Sequence, residues 1–244
     1  MKTKVLHYRN LQELSRDAAC LISEQAKKNI RQKGYFTLAV SGGNDPVPTY
    51  RNITKCKIDW KKVFIFWQDD RYVSFRDDRS NFKLVYDNML SKIKIPPENV
   101  FMVPPPDEIK PAKISALSYE YIIKNFFRAK GAKPGFDLVI AGMGPDGHTS
   151  SLFPKDKKAL KEKKRLIISV KAPAYAPVKD RITMTLPFIN NSKTLLYIIA
   201  GKGKGKIMKE ILDAPAQARK KYPTAMAKAK ENLIWMIDEN VYKY

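Results

Sequence analysis

The sequence predicts an α/β protein with a mostly parallel sheet covered by helices on both faces. Three observations carry this expectation. Short apolar runs bounded by turn residues alternate with amphipathic stretches at helical spacing. The runs lack a polar face, as strands buried on both sides do. The main runs also end in glycine-rich or charged loops, the place where open α/β sheets put their ligand crevices. At 244 residues and 44% hydrophobic content one core suffices, so a single domain spanning residues 1–244 is expected.

Taken in order, residues 5–8 (VLHY) are strand-like. Asn10 is placed to cap a long helix running to about Lys33, with Leu11, Leu14, Ala18, Leu21, Ile22, Gln25 and Ile30 near helical spacing and Gly34 as its stop. Residues 35–40 form a strand, 46–53 a short helix, 63–67 a second strand, 80–90 a helix and 100–103 a short strand. A helix over 114–127 precedes the strand 136–141. Strands at 166–170 and 181–186 are joined by the proline-containing APAYAP; a strand at 194–200, a helix at 204–212 and a late strand at 233–237 complete the chain. The three prolines 104–106 are too few for a domain linker, and no internal repeat is present.

No apolar stretch approaches the roughly 20 residues that span a bilayer, and the first residues lead into a strand rather than a signal-peptide core. A cytoplasmic protein is expected. Cys20 and Cys56 have neither metal spacing nor a disulfide framework. Lysine and arginine total 46 against 24 acidic residues, a net charge of +22, which favours encounter with any anion. The lysines are scattered, with local runs only at 155–165 and 202–209, so a solvated basic face accounts for them better than a nucleic-acid footprint.

The most informative stretch is FDLVIAGMGPDGHTSSLFP, residues 136–154, where a buried strand stops in a glycine-rich turn carrying Asp146 and His148. An Asp-Gly-His turn by itself is also ordinary loop chemistry, with the Asp forming an Asx-turn. Four further segments at strand ends or starts change that balance. TLAVSGGNDPVPTY places Ser41, Gly42 and Gly43 at a strand-to-helix turn whose amides suit an anion, although it is neither a Walker loop nor a spaced dinucleotide motif. IFWQDDR ends a strand in Asp69, Asp70 and Arg71, and RIT begins one with Arg181. Guanidinium groups give forked contacts to phosphate or carboxylate. In IIAGKGKGKIMKEIL, Lys204 stands at a helix start, where it can meet a phosphate as a point charge.

In this order and over nearly the whole chain, these segments resemble the 6-phosphogluconolactonase family. Its motifs SGGSTP, GDERxVP, SN, GMGxDGHxASLFP, RxTxT and GxxKAxxL are matched here by SGGNDP, QDDRYVS, SN, GMGPDGHTSSLFP, RITMT and GKGKGKIM. The resemblance implies a nagB/RpiA-like Rossmannoid fold and hydrolysis of 6-phospho-D-glucono-1,5-lactone, with no metal or redox cofactor. It implies His148 as general base and Asp146 as its orienting or electrostatic support. Ser41, Gly42, Gly43, Asp70, Arg71, Arg181 and Lys204 would surround the substrate and its phosphate. A monomer acting on a small phosphorylated lactone, without membrane or nucleic acid, is the implied partnership. Ser150 and Ser151 lack a nucleophile-elbow context, so no covalent intermediate is expected.

Three departures stand out. Asn44-Asp45 replaces the Ser/Thr pair, and Asp45 is expected to turn away from a phosphate or to cap the following helix. Asp70 replaces a glutamate, and Ser74 a proline. Two alternatives are weighed: an aldose-ketose isomerase/deaminase of the same superfamily, whose motif continues to Asn-Glu-Pro where this chain has Leu152-Phe153-Pro154, and a basic polyanion-binding protein on the same fold.

Overall fold

The computed structural model describes residues 1–243. In chain order the elements are β1 (Lys2–Tyr8), α1 (Leu11–Lys33), β2 (Phe36–Val40), α2 (Val47–Ile53), β3 (Val63–Trp67), β4 (Asp69–Arg71), α3 (Asn81–Asn88), β5 (Val100–Phe101) and α4 (Ala112–Ala129). They continue with β6 (Leu138–Ala141), α5 (Lys157–Leu160), β7 (Ile167–Lys171), β8 (Asp180–Met184), α6 (Leu186–Ile189), β9 (Thr194–Ile199), α7 (Gly205–Asp213), α8 (Pro215–Lys221), α9 (Pro223–Met226) and β10 (Asn232–Asp238).

Local sequence sets the helix ends. The Asn10 side chain accepts the amides of Gln12 and Glu13, opening α1, and Gly34 closes it at φ 85° in the left-handed conformation that glycine adopts without a Cβ penalty. The β-branched and aromatic runs of β2, β3, β6 and β9 are buried almost throughout, so they can only be inner strands of a covered sheet.

Seven strands form one sheet in the order β1-β10-β9-β6-β2-β3-β5, with every pairing parallel. From β2 the chain proceeds to β3 and β5 on one side, then returns to place β6, β9 and β10 on the other. The topological switch therefore lies between β2 and β6, and a crevice opens at their carboxyl ends.

The strands expected at 166–170 and 181–186 are present as β7 and β8 but lie outside the main sheet. With β4 they make a separate three-stranded antiparallel sheet in the order β4-β8-β7. The intervening residues 172–179 are too few for a parallel crossover, which takes about a dozen. The second of these strands also ends earlier than expected, because Leu186 opens α6. Helix α4 joins the two sheets. Phe126 and Phe127 pack on Phe66 and Phe136, and the buried Glu120 accepts the amides of Leu166 and Ile167 beside Arg165 and Lys124. At the amino end of the sheet, buried Asp137 is held by Thr37, Lys33 and Lys193, a structural ion cluster remote from the switch point.

Candidate active site

The loop after β6 is shaped by its glycines and closed on itself. The Gly144 amide donates to the His148 carbonyl at 2.9 Å, and the Gly147 amide donates to the Gly144 carbonyl at 3.0 Å. Asp146 does form the Asx-turn, accepting the His148 amide on Oδ1 at 3.1 Å, and the same oxygen stands 2.5 Å from His148 Nδ1. With Nδ1 donating to a carboxylate, the neutral imidazole keeps Nε2 as its proton acceptor. Tyr175, on the connection between β7 and β8, donates its hydroxyl to Asp146 Oδ2 at 2.7 Å. Burial alone would raise the Asp146 carboxyl; the hydrogen bond and charge of His148, helped by Tyr175 and the His148 amide, pull it down to about 2. Burial and the neighbouring Asp146 together push Tyr175 up to about 12, so it remains a donor.

Close packing fixes the imidazole. A Cβ on Gly144 would fall 2.1 Å from His148 Cε1, so only glycine leaves room for the ring there. The Phe153 ring also packs on the imidazole, with centroids 4.9 Å apart. From outside, Thr224 donates its hydroxyl to the carbonyls of Gly147 and His148 at 2.9 and 3.1 Å, and the Tyr222 ring covers Gly147.

The loop after β2 brings Ser41, Gly42 and Gly43 to the same crevice. Tyr50 anchors it, donating to the Ser41 carbonyl at 2.6 Å and accepting the Ser41 amide at 3.0 Å. A Cβ on Gly42 would overlap Asn81, whose Nδ2 donates to the Asp69 carbonyl at 2.9 Å. The Ser41 hydroxyl and Asn81 Oδ1 are buried without a hydrogen-bond partner, on two residues that line the crevice, and the Asn81 oxygen is packed against Gly42.

After β3 the chain divides its charges. Asp69 lines the crevice and accepts the Ser151 hydroxyl at 2.6 Å. Asp70 points into the protein and caps α3, accepting the amides of Asn81 and Phe82 at 2.7 and 3.0 Å as well as that of Arg71 at 2.7 Å. Burial pushes its carboxyl up to about 7 against the pull of those amides, with Asp69 adding to the rise. Arg71 donates to the Arg79 carbonyl at 2.6 Å, and Arg181 to the Val178 carbonyl at 3.1 Å. Burial first, and Arg71 next, press the Arg181 guanidinium below its ordinary value, with Asp69 and Asp70 offsetting part of this. Two guanidinium groups facing one crevice suit an anion.

The crevice has a volume of about 400 Å³. Ser41, Gly42, Gly43, Arg71, His148, Arg181 and Lys204 line it, brought together from residues far apart in sequence. Asp146 and Asp70 do not line it; one supports His148 from behind and the other holds a helix. Asp45 neither turns away nor caps α2, whose N-terminus has no side-chain cap; it lines the crevice and pairs with Lys204 at 2.5 Å. Three contributors to the site were not expected from the sequence: Asn81 as the partner of Gly42, Tyr175 and Thr224. Asn81 carried a signal in the matched Ser-Asn motif and Tyr175 one as an aromatic set between prolines, whereas Thr224 carried none. Among the described residues no group of three or more His, Cys, Asp or Glu is placed to hold a metal, and no helix is long and apolar enough to cross a membrane.

A parallel Rossmannoid sheet, with a His–Asp pair and a cation-lined crevice at its switch point, is the architecture of an α/β enzyme and suits acid-base chemistry on an anion. The chain belongs to the family of glucosamine-6-phosphate isomerases and 6-phosphogluconolactonases, whose model matches residues 9–235. It is 37% identical to a 6-phosphogluconolactonase of Nostoc sp. over 89% of this chain and 88% of that one. A chloroplastic 6-phosphogluconolactonase of Arabidopsis thaliana is 33% identical over 98% of this chain and 74% of the plant protein. The crystal structure of 6-phosphogluconolactonase from Thermotoga maritima superposes with a TM-score of 0.84 at 29% identity, covering 98% of this chain and 100% of that one.

Proposed function

We propose that this chain hydrolyses 6-phospho-D-glucono-1,5-lactone to 6-phosphogluconate, the second step of the oxidative pentose phosphate pathway, with His148 as general base. The observation that carries the assignment of the base is the 2.5 Å contact between His148 Nδ1 and Asp146, at the mouth of a crevice that also holds Arg71 and Arg181. His148 Nε2 takes a proton from water as its oxygen attacks the lactone carbonyl carbon. The carbonyl π electrons move onto oxygen, giving a tetrahedral oxyanion that the cationic, amide-rich crevice stabilises. Collapse reforms the carbonyl and breaks its bond to the ring oxygen, which takes the proton back from the imidazolium; the new carboxyl group then ionises. Asp146 offsets the positive charge that His148 carries between the two transfers. The substrate phosphate lies among Gly42, Gly43, Arg71, Arg181 and Lys204 in this reading.

Water acts directly. Ser150 is the one non-glycine residue at positive φ among the described residues, at 52°, a geometry that also marks strained nucleophiles. Its hydroxyl instead donates to Gln68 Oε1 at 2.7 Å, and Ser151 donates to Asp69. An isomerase or deaminase reading is disfavoured by Phe153, which puts a buried ring against His148 where that chemistry would need an acid.

Purified protein given freshly generated lactone should hydrolyse it well above the spontaneous rate and should release no ammonia from glucosamine 6-phosphate; the reverse pattern would reassign the reaction. The reading also takes the chain as a cytoplasmic monomer, which light scattering on the purified protein checks for assembly. RNA binding that falls steeply with salt and survives loss of His148 would support the polyanion-binding alternative.

A further inference from the structure

Asp45 Oδ2 accepts two hydrogen bonds, from the Ala200 amide at 2.9 Å and from Lys204 Nζ at 2.5 Å. This one carboxylate oxygen therefore ties the loop after β2 to the loop after β9 across the crevice. Both side chains are largely sheltered, 18% exposed for Asp45 and 14% for Lys204, and both line the crevice. The arginine and lysine side chains lining it are Arg71, Arg181 and Lys204; the carboxylates are Asp45 and Asp69. Asp69 is engaged by the Ser151 hydroxyl, whereas Asp45 sits directly on a cation.

We infer that Asp45 is a specificity-determining residue that weakens the demand for a phosphoryl group by competing with it for Lys204; this rests on the phosphate placement proposed above. A phosphate carries close to two negative charges at neutral pH. To reach the Lys204 ammonium it shares that group with a carboxylate already in hydrogen-bond contact, and it meets like charge at short range. The crevice thus binds a phosphorylated lactone less tightly than its lysine and arginines alone would allow, and discriminates less against lactones without phosphate.

Asp45→Asn removes the charge while keeping an oxygen that can accept the Ala200 amide; Asp45→Ser is a second variant of different size, and melting curves establish that each is folded. KM for the phosphorylated lactone should fall about 5–10-fold, on the order expected for relieving one short-range charge repulsion in a partly solvated site. KM for glucono-1,5-lactone should move less than about 2-fold, so that preference for the phosphorylated lactone rises. Inorganic phosphate, titrated as a ligand without any turnover, should bind tighter by a similar factor. The gain should vanish when Lys204→Met is combined with Asp45→Asn, since the competition is for that ammonium. An unchanged or raised KM for the phosphorylated lactone together with unchanged phosphate affinity would overturn the inference. If Lys204→Met alone raised KM equally for both lactones, the phosphate would not lie at Lys204: the placement would fail first, and the role of Asp45 with it.

Discussion

Asp146 Oδ1 serves His148 twice, accepting its amide at 3.1 Å and standing 2.5 Å from its Nδ1. The backbone turn and the orientation of the imidazole are therefore set by one oxygen two residues away. Replacing Asp146 by Asn keeps an acceptor for the turn but removes the charge that supports imidazolium. Steady-state kinetics should show kcat lower by about 10²–10⁴-fold with little change in KM, the pattern of a lost transition-state interaction.

Tyr175 holds the other oxygen of Asp146 at 2.7 Å and is itself 64% exposed, so its removal disturbs little packing. Tyr175→Phe should lower kcat by about 3–10-fold, the range of one ordinary hydrogen bond lost at an exposed position, while KM and the melting temperature stay close to wild type. A variant that lost stability but kept kcat would assign Tyr175 a structural role instead.

Gly144 lies so close to the imidazole that an added Cβ would meet three of its atoms within 2.7 Å. The ring is the movable partner and can swing aside, so Gly144→Ala should fold with a melting temperature within a few degrees of wild type yet lose at least about 10²-fold in kcat, as for a displaced base. A crystal structure of the variant should show the ring rotated away from Asp146.

Asp70 makes stability depend on pH in an uncommon direction. Its carboxyl ionises near its ordinary value of 3.8 when unfolded but is pushed up to about 7 by burial in the folded protein. Between those values the folded state holds a proton that the unfolded state has released. The stability this proton contributes is full below about 4 and is lost as pH rises through about 7. Asp146 works oppositely: lowered to about 2, it stabilises above its ordinary value, and that contribution is lost as pH falls toward 2. Melting curves from pH 4 to 8 should show a decline in the wild type that Asp70→Asn flattens. Parallel curves would mean that the amides capping α3 hold Asp70 ionised throughout.

The strands of the main sheet were legible because their apolar runs are local, and the cap residues Asn10 and Gly34 act on their own helix. The separate antiparallel sheet was not: β4 is a three-residue strand, Asp69–Arg71, whose polar sequence looks like a loop end until Arg181–Thr183 pair with it. Within the site, residue types and strand ends pointed to His148, Asp146, Arg71, Arg181 and the Ser-Gly-Gly turn. Which way a side chain faces was beyond reach where the partner is distant in sequence. Asp70 turns inward because the amides at the start of α3 lie there, and Asp45 reaches Lys204 because the loops after β2 and β9 meet at the crevice. Thr224 braces the His148 loop from a helix that nothing in its own short sequence connects to β6.

The role proposed for His148 is to activate water for lactone opening. Hydrolysis of freshly generated 6-phosphogluconolactone by the wild type and by folded His148→Ala, with the spontaneous rate subtracted, tests it directly. Fast wild-type turnover and a loss of at least about 10²-fold in the variant are expected; a variant that kept the wild-type rate would contradict that role.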